Sequence, residues 1–423
     1  MATSHTMTSQ DALLKDYYTD DKLKEQSYGE NPFFAFIKKE RGQMAGGRRY
    51  VQPVEFAHPG GSSADFTMAM TNGTASAYED FLISRKKQYQ KIQVDHELMF
   101  ATQNQRESFR KALDEFDRGL KGLGEKIGRR LYRTEGGSIG KMANSTAATT
   151  VITLADKASA FNFHKGQTLV FAAADGTGSL RDSGDTTVVS SVSIEAGTVT
   201  VADTLSTKIN AIGTTDYVFA QGDFGACLAG LEDWLPVTDR DTRLAASFNG
   251  VTRSDAPDYL GGIYMDGTPF GGLDEVIIKL TGKLGKYGAK TSHIMANPET
   301  MSDLELLSNS KMRIVSEINT KVIGDQGDVL VGFSGYRAIV AGRSVKIYPD
   351  RNCPSDRLYA LQLDTWTLWH TGNLINWLGE SYTGSKMQMS ETTDSAESRL
   401  GSYQNLGCSA PGWNGVAKIN VAS

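Results

Sequence analysis

Six histidines and three cysteines are the side chains best suited to acid–base, metal or thiol chemistry in this 423-residue chain. Their spacing argues against all three. His5, His58, His96, His164, His293 and His370 are scattered, with no HExxH and no short-range pair to grip a metal. Cys227, Cys353 and Cys408 are odd in number and far apart, without a CxxC. They are expected to be buried small apolar residues of a protein in a reducing compartment. No serine is assigned to a nucleophile elbow, and no GxxxxGK[ST] loop is present to cradle phosphates. Gly261-Gly262 and Gly271-Gly272 lack the strand–GxGxxG–helix setting and read as turns. Asp239-Arg240-Asp241 has the charge to hold a cation, but solvated loop charge is the simpler reading. A triad assembled only by folding stays open. No catalytic, cofactor-binding or metal residue is expected, and the chain is not expected to be an enzyme.

The elements that would position such groups follow from composition and pattern. Domains of about 150 residues would number two or three here, large enough to need no disulfide or metal staple. Glycine, at 44 residues, exceeds its usual share of about 7% and suits a chain with many tight turns. A net charge of −5 is wrong for a protein that grips nucleic acid through clustered Lys and Arg. It does not exclude a container. Residues 1–10 are polar, without an apolar signal core, and no run of about 18 apolar residues suggests a membrane span. The chain is expected to remain in a cytoplasm.

Along the chain, residues 1–50 read as an arm: a helix over 9–26, a break at Asn31-Pro32, then the apolar cluster Phe33, Phe34, Phe36 and Ile37. Residues 48–56 and 81–94 read as two strands. Residues 57–80 between them carry turn signals, His58-Pro59-Gly60-Gly61 and Asn72-Gly73, and few large aliphatics. The pair makes a long hairpin or arm. Residues 104–133 give the strongest helix, with Phe109, Leu113, Phe116, Leu120, Leu123, Ile127 and Leu131 on one stripe. Pairs such as Glu125 with Arg129 support it. Gly119, Gly122, Gly124 and Gly128 lie inside it, each costing up to about 1 kcal/mol relative to alanine. Close packing and a built-in bend are the two readings.

Composition then shifts. Residues 143–223 are rich in Thr, Ala, Ser and Gly, with short alternating segments and turns such as Asp175-Gly176. This predicts a small β-barrel or sandwich inserted into a larger domain, with Asp175-Gly176 an exposed tip open to insertions. After Gly225 a mixed α/β pattern returns: a helix over 272–287, a strand at 293–296, and a helix opened by Asn297-Pro298. Strands follow over 329–333, 337–340, 345–348 and 358–363, then Trp- and Tyr-rich strands to the end.

That order resembles the Hong Kong 97-type fold of tailed-bacteriophage major capsid proteins. Three local stretches are similar too: Gly230-Leu231-Glu232-Asp233-Trp234-Leu235-Pro236 with Phe248-Asn249-Gly250-Val251-Thr252-Arg253-Ser254 and Leu260-Gly261-Gly262, Met295-Ala296-Asn297-Pro298-Glu299-Thr300, and Tyr403-Gln404-Asn405-Leu406-Gly407-Cys408 with Pro411. The resemblance implies an α+β fold with an N-arm (1–50), an extended E-loop (51–94), a P-domain spine helix (95–142), an inserted β-domain (143–223), an A domain (224–345) and returning P-domain strands (346–423). It implies a virion shell protein, assembled in the bacterial host cytoplasm. Its partners would be itself, as hexamers and pentamers, a portal, a separate scaffolding protein and a cement or decoration protein. It would enclose double-stranded DNA without reading its sequence, and would touch no membrane. A cellular nanocompartment shell of the same fold (an encapsulin) and, from another class, a β-rich adhesin or carbohydrate-binding protein are the alternatives.

Two departures bear on assembly. Some members cross-link neighbours from an E-loop lysine to an asparagine, whereas residues 57–84 contain no lysine. Some begin with a long cleaved scaffolding segment, for which the residues ahead of the hairpin are too few. Particles boiled in denaturant and reductant should therefore run as monomers near 45.9 kDa. A ladder of covalent oligomers on that gel refutes the expectation.

Overall fold

The computed structural model describes residues 31–42, 49–95, 105–143, 149–209, 212–237, 247–308, 314–323, 330–340, 342–378, 386, 388–390 and 393–419. The expected arm helix over 9–26 and the Asp239-Arg240-Asp241 cluster lie outside them.

The stripe written into residues 104–133 produces one helix, Gln105–Arg130. Phe116, Leu120, Leu123, Ile127 and Leu131 are wholly buried. At about 25 cal/mol per Å² of apolar surface, such a face holds a helix far more firmly than propensity does. The expected Glu125–Arg129 pair is replaced. Glu125 faces Arg351 at 3.4 Å, while Arg129 donates to the carbonyls of Asn162 and Phe161. Carbonyls fixed by folded backbone outcompete a neighbour one turn away on the same half-buried helix face.

Two of the glycines are explained by packing. A Cβ on Gly119 would lie 2.5 Å from Ile92, and one on Gly128 would collide with Asn31 and Asn352. Gly122 faces open space.

The helix lies against the strand Lys86–Asp95, which pairs antiparallel with the 14-residue strand Ser395–Cys408. That long strand also pairs with Trp366–His370, Asn376–Leu378 and Gln388–Met389, and Lys38–Arg41 joins Trp366–His370 in parallel. A seven-stranded sheet stands beside it. Its order is Ile263–Asp266, Gly415–Lys418, Arg357–Leu361, His293–Ala296, Arg343–Pro349, Leu330–Val340, Ile314–Ile323. The helices Leu273–Lys286 and Pro298–Ser308 belong to this part, and Val276, Ile277, Leu280, Leu284, Met301 and Leu304 join its core. The sequence read 329–333 and 337–340 as two strands; they are one, continuous through Gly332 and Gly335.

The chain leaves this body after the helix and returns a hundred residues later beside its own exit. Leu231 N–H donates to Leu131 at 2.7 Å, Gly230 to Arg133 at 3.1 Å, and Gly225 to Gly136 at 2.9 Å. Any side chain at 230 would overlap the Arg133 carbonyl, so the crossing needs glycine. Between exit and return lies a six-stranded sheet: Ser138–Lys141, Tyr217–Ala220, Thr168–Ala172, Thr187–Ser193, Thr198–Val201, Val151–Thr153. It has its own core, including Ile152, Leu169, Phe171, Val199 and Val218. Its two outer strands meet through Ala143 N–H to Thr153 and Ala155 N–H to Lys141, both 2.8 Å.

Asp175-Gly176 is not a free tip. The Asp175 carboxylate accepts from Thr134 and from Ser138 N–H, and Gly176 packs against Gly136. The turn clamps the exit instead, a role its Asp-Gly chemistry allows but does not announce.

Gly122→Ala should raise stability by up to about 1 kcal/mol, because its methyl meets nothing. Gly128→Ala should lower it by about 1–3 kcal/mol by forcing apart Asn31 and Asn352. Urea unfolding midpoints moving in opposite directions would bear this out; matching shifts would contradict it.

Candidate assembly surface

The segment read as residues 81–94 is two strands broken at Arg85. Ala77–Ser84 pairs with Arg49–Ala57, and Lys86–Asp95 pairs with the long C-terminal strand. The break sends the first pair out of the body as an isolated two-stranded hairpin. Such a ribbon is marginal by itself in water, so its base must be held.

It is held by aromatics. Tyr50, Val54, Phe81 and Ile83 are buried there. Tyr50 stacks on Trp369 with centroids 5.5 Å apart and bonds Thr371 through its hydroxyl at 2.7 Å. Phe81 packs on Trp234 at 5.0 Å and on Phe248 at 6.2 Å. Asn405 Nδ2 donates to Ser84 at 2.7 Å, and Leu82 N–H donates to Asn249 at 2.8 Å. Asn249, at φ 49°, and Gly250, at φ 88°, are the left-handed pair of the tight turn that presents that carbonyl.

Beyond Val54 the hairpin has no buried residue until Phe81. Its end is a short helix, Phe66–Thr71, capped by Asp65, which accepts from Thr67 N–H at 2.8 Å and Met68 N–H at 3.1 Å. Gly60 closes the loop onto Thr74. Phe66 is 80% exposed, Met70 71%, Tyr78 58% and Met68 55%. The turn signals and few large aliphatics of residues 57–80 point to no helix here. The signal that reading missed was Asp65 standing as an N-cap before Phe-Thr-Met-Ala-Met. Large apolar groups crowded at the end of a projecting arm mark a contact surface.

His5 and His96 lie outside the described residues, and among the described residues those singled out for chemistry are not brought together. Cys227, Cys353 and Cys408 are free and buried. Burial pushes the Cys227 thiol up to about 11 and the Cys408 thiol to about 12, and raises Cys353 as well, so all three are poor nucleophiles. His293 is packed between Phe36 and Tyr348, and burial with the nearby Lys346 lowers it to about 4. His58 meets Glu55, and His370 meets the Gly372 carbonyl. Residues 136–140 do carry the spacing GxSxG, which the sequence reading passed over. Ser138 nevertheless opens the strand Ser138–Lys141 rather than a strand-to-helix elbow. Among the described residues no group of His, Cys, Asp or Glu could hold a metal, and no helix is long and apolar enough to cross a membrane.

No family model matches the chain, and no curated protein matches it in sequence. Solved structures do. A chain of the cyanophage A-1(L) capsid asymmetric unit matches at TM-score 0.51 and 12% identity, covering 92% of both chains. A chain of the satellite phage P4 procapsid, which includes the size determination protein, matches at 0.43 and 9%, covering 96% of this chain and 99% of that one. The SrpI encapsulin of Synechococcus elongatus matches at 0.37 and 10%, covering 100% of this chain and 98% of that one. The first of these, above 0.5, is the likeness that bears on architecture. Long helix, projecting hairpin and mixed sheets together give this chain the α+β fold of a phage capsid shell protein, the Hong Kong 97-type fold.

Proposed function

We propose that this chain is the major capsid protein of a tailed phage, self-assembling as hexamers and pentamers into an icosahedral shell around double-stranded DNA. The observation that carries the reading is the hairpin: rigid at its base, apolar at its tip, and covered at that tip by nothing among the described residues. Such an arm is suited to lie across the next copy, so that each subunit adds modest interfaces that sum over a closed shell.

In this reading residues 51–94 are the E-loop, 95–142 carry the spine helix of the P domain, 224–345 form the A domain, and 346–423 return to the P domain. Residues 143–223 form an inserted small β-barrel, which its two hydrogen-bonded outer strands favour. Residues 1–50 are the arm. The shell's remaining partners would be a portal, a separate scaffolding protein and a cement protein. A weakly acidic subunit suits a container that must not hold its polyanionic cargo fast.

Negative-stain microscopy of the expressed chain tests the proposal. Closed icosahedral particles are expected; particles loaded with protein cargo would favour the nanocompartment, and no particles under any assembly condition would overturn a shell role. Phe66→Ser with Met70→Ser should shift the thermal midpoint by under about 2 °C, because exposed sites change stability little, while sharply lowering particle yield. Deleting residues 58–77 should leave a folded monomer that forms no shells. Normal particles from either variant would remove the hairpin from the assembly mechanism.

A further inference from the structure

A cleft of about 790 Å³ lies where the end of the long helix, the strand Lys86–Asp95 and the six-stranded sheet meet. Its lining is cationic on the helix and strand sides. Arg85 and Lys87 come from the start of the strand, and Lys126, Arg129, Arg130 and Arg133 from one face of the helix. Asp223 is the one carboxylate lining it among the described residues, and it is taken by Arg130 at 2.5 Å. Lys86 also lines the cleft and is paired at 3.5 Å with Glu135, which does not. Three of the helix cations donate to neutral groups: Lys126 to Gln90 at 3.1 Å, Arg129 to two carbonyls, and Arg133 to Ser159 at 3.4 Å.

The cations press on one another. Burial, then Arg130 and Arg129, hold the Lys126 ammonium below its ordinary value. Burial lowers Arg129 to about 10, against the pull of Glu125. His164, from the sheet side, is lowered by burial and then by Lys126 and Arg129. A positive charge so crowded and so little neutralised is costly unless an anion enters.

A second observation points the same way without involving charge. Gln88 lines the cleft and is 6% exposed, yet both its amide nitrogen and its amide oxygen lack a hydrogen-bond partner. Arg133 Nε is buried without a partner as well. Buried polar atoms are rarely left so, and here two donors border the same cationic space.

We infer that this cleft is a binding site for phosphate groups, supplied either by a free polyphosphate or by the backbone of a single nucleic-acid strand. Guanidinium forks bind phosphate oxygens in pairs, and successive phosphates bring enough negative charge to match the helix and strand cations together. A single carboxylate would leave most of them uncompensated. The inference concerns one subunit and does not depend on shell formation.

The test is calorimetric titration of the full chain with three probes: inorganic tripolyphosphate, an eight-residue oligothymidylate and hexa-aspartate. Saturable binding of tripolyphosphate is expected. Lys126→Gln should weaken it roughly tenfold or more, the worth of one charge-assisted hydrogen bond. Gln88→Leu, which removes no charge and fits a buried site, should also weaken it, whereas Lys286→Gln, outside the cleft, should not. Oligothymidylate binding tighter than tripolyphosphate with the same sensitivity identifies a strand backbone as the source; the reverse order identifies free polyphosphate. Hexa-aspartate binding as well as either phosphate probe overturns the assignment to phosphate. Unchanged affinity in both Lys126→Gln and Gln88→Leu, or no saturable binding, overturns the site.

Discussion

The carboxylate of Asp350 joins three parts of the molecule that are remote in sequence. It accepts Phe33 N–H at 3.2 Å, the Tyr132 hydroxyl at 2.9 Å and Asn352 N–H at 2.9 Å. It sits just after a strand of the seven-stranded sheet, Tyr132 just after the long helix, and Phe33 in the short helix Pro32–Phe36. Burial raises its affinity for a proton, while these donors favour the charged form. With all three made, a costly buried group becomes a fixed point; with one removed, the desolvation cost would stand uncompensated.

From that point a run of aromatic contacts reaches the hairpin. Phe33 touches Tyr132 at 5.3 Å and Trp366 at 6.5 Å; Trp366 meets Trp234 at 6.3 Å; Trp234 meets Phe81 at 5.0 Å. Close-packed aromatics transmit position because they do not compress. The direction in which the hairpin leaves the body is therefore set by the end of the helix, and only its outer part is free to conform to what it meets. Stiff aim with an adaptable end is what a contact that must be repeated around curved and flatter regions of one surface requires.

Where period alone decides, the sequence was legible. The stripe from Phe116 to Leu131, the helix Leu273–Lys286, the Asn297-Pro298 step and the strand His293–Ala296 stand where their patterns put them. What failed to show was whatever depends on a distant partner. Nothing between Phe81 and Val94 reveals that Arg85 divides two pairings, because each half alternates as one strand would. Asp175 reads as turn chemistry, and only the exit of the helix makes it a clamp. The cleft was illegible for the same reason. Lys126, Arg129 and Arg133 look like a helix's basic last turns until a strand and a second sheet wall them in.

Among the described residues the strand Lys86–Asp95 finds its partner in Ser395–Cys408, with Gln93 and Ser395 separated by 302 positions. At synthesis rates of about 5–20 residues per second, that wait on the ribosome is roughly 15–60 s. Throughout it the edge of Lys86–Asp95 is unsatisfied, beside other nascent chains carrying the same edge. Lys86, Lys87 and Lys91 lie along it, and like charges set opposite one another disfavour pairing between two copies. Lys86 and Lys87, which line the cationic cleft of the finished molecule, thus join Lys91 in guarding its unfinished form, keeping a long-range β pairing from being pre-empted by a wrong one.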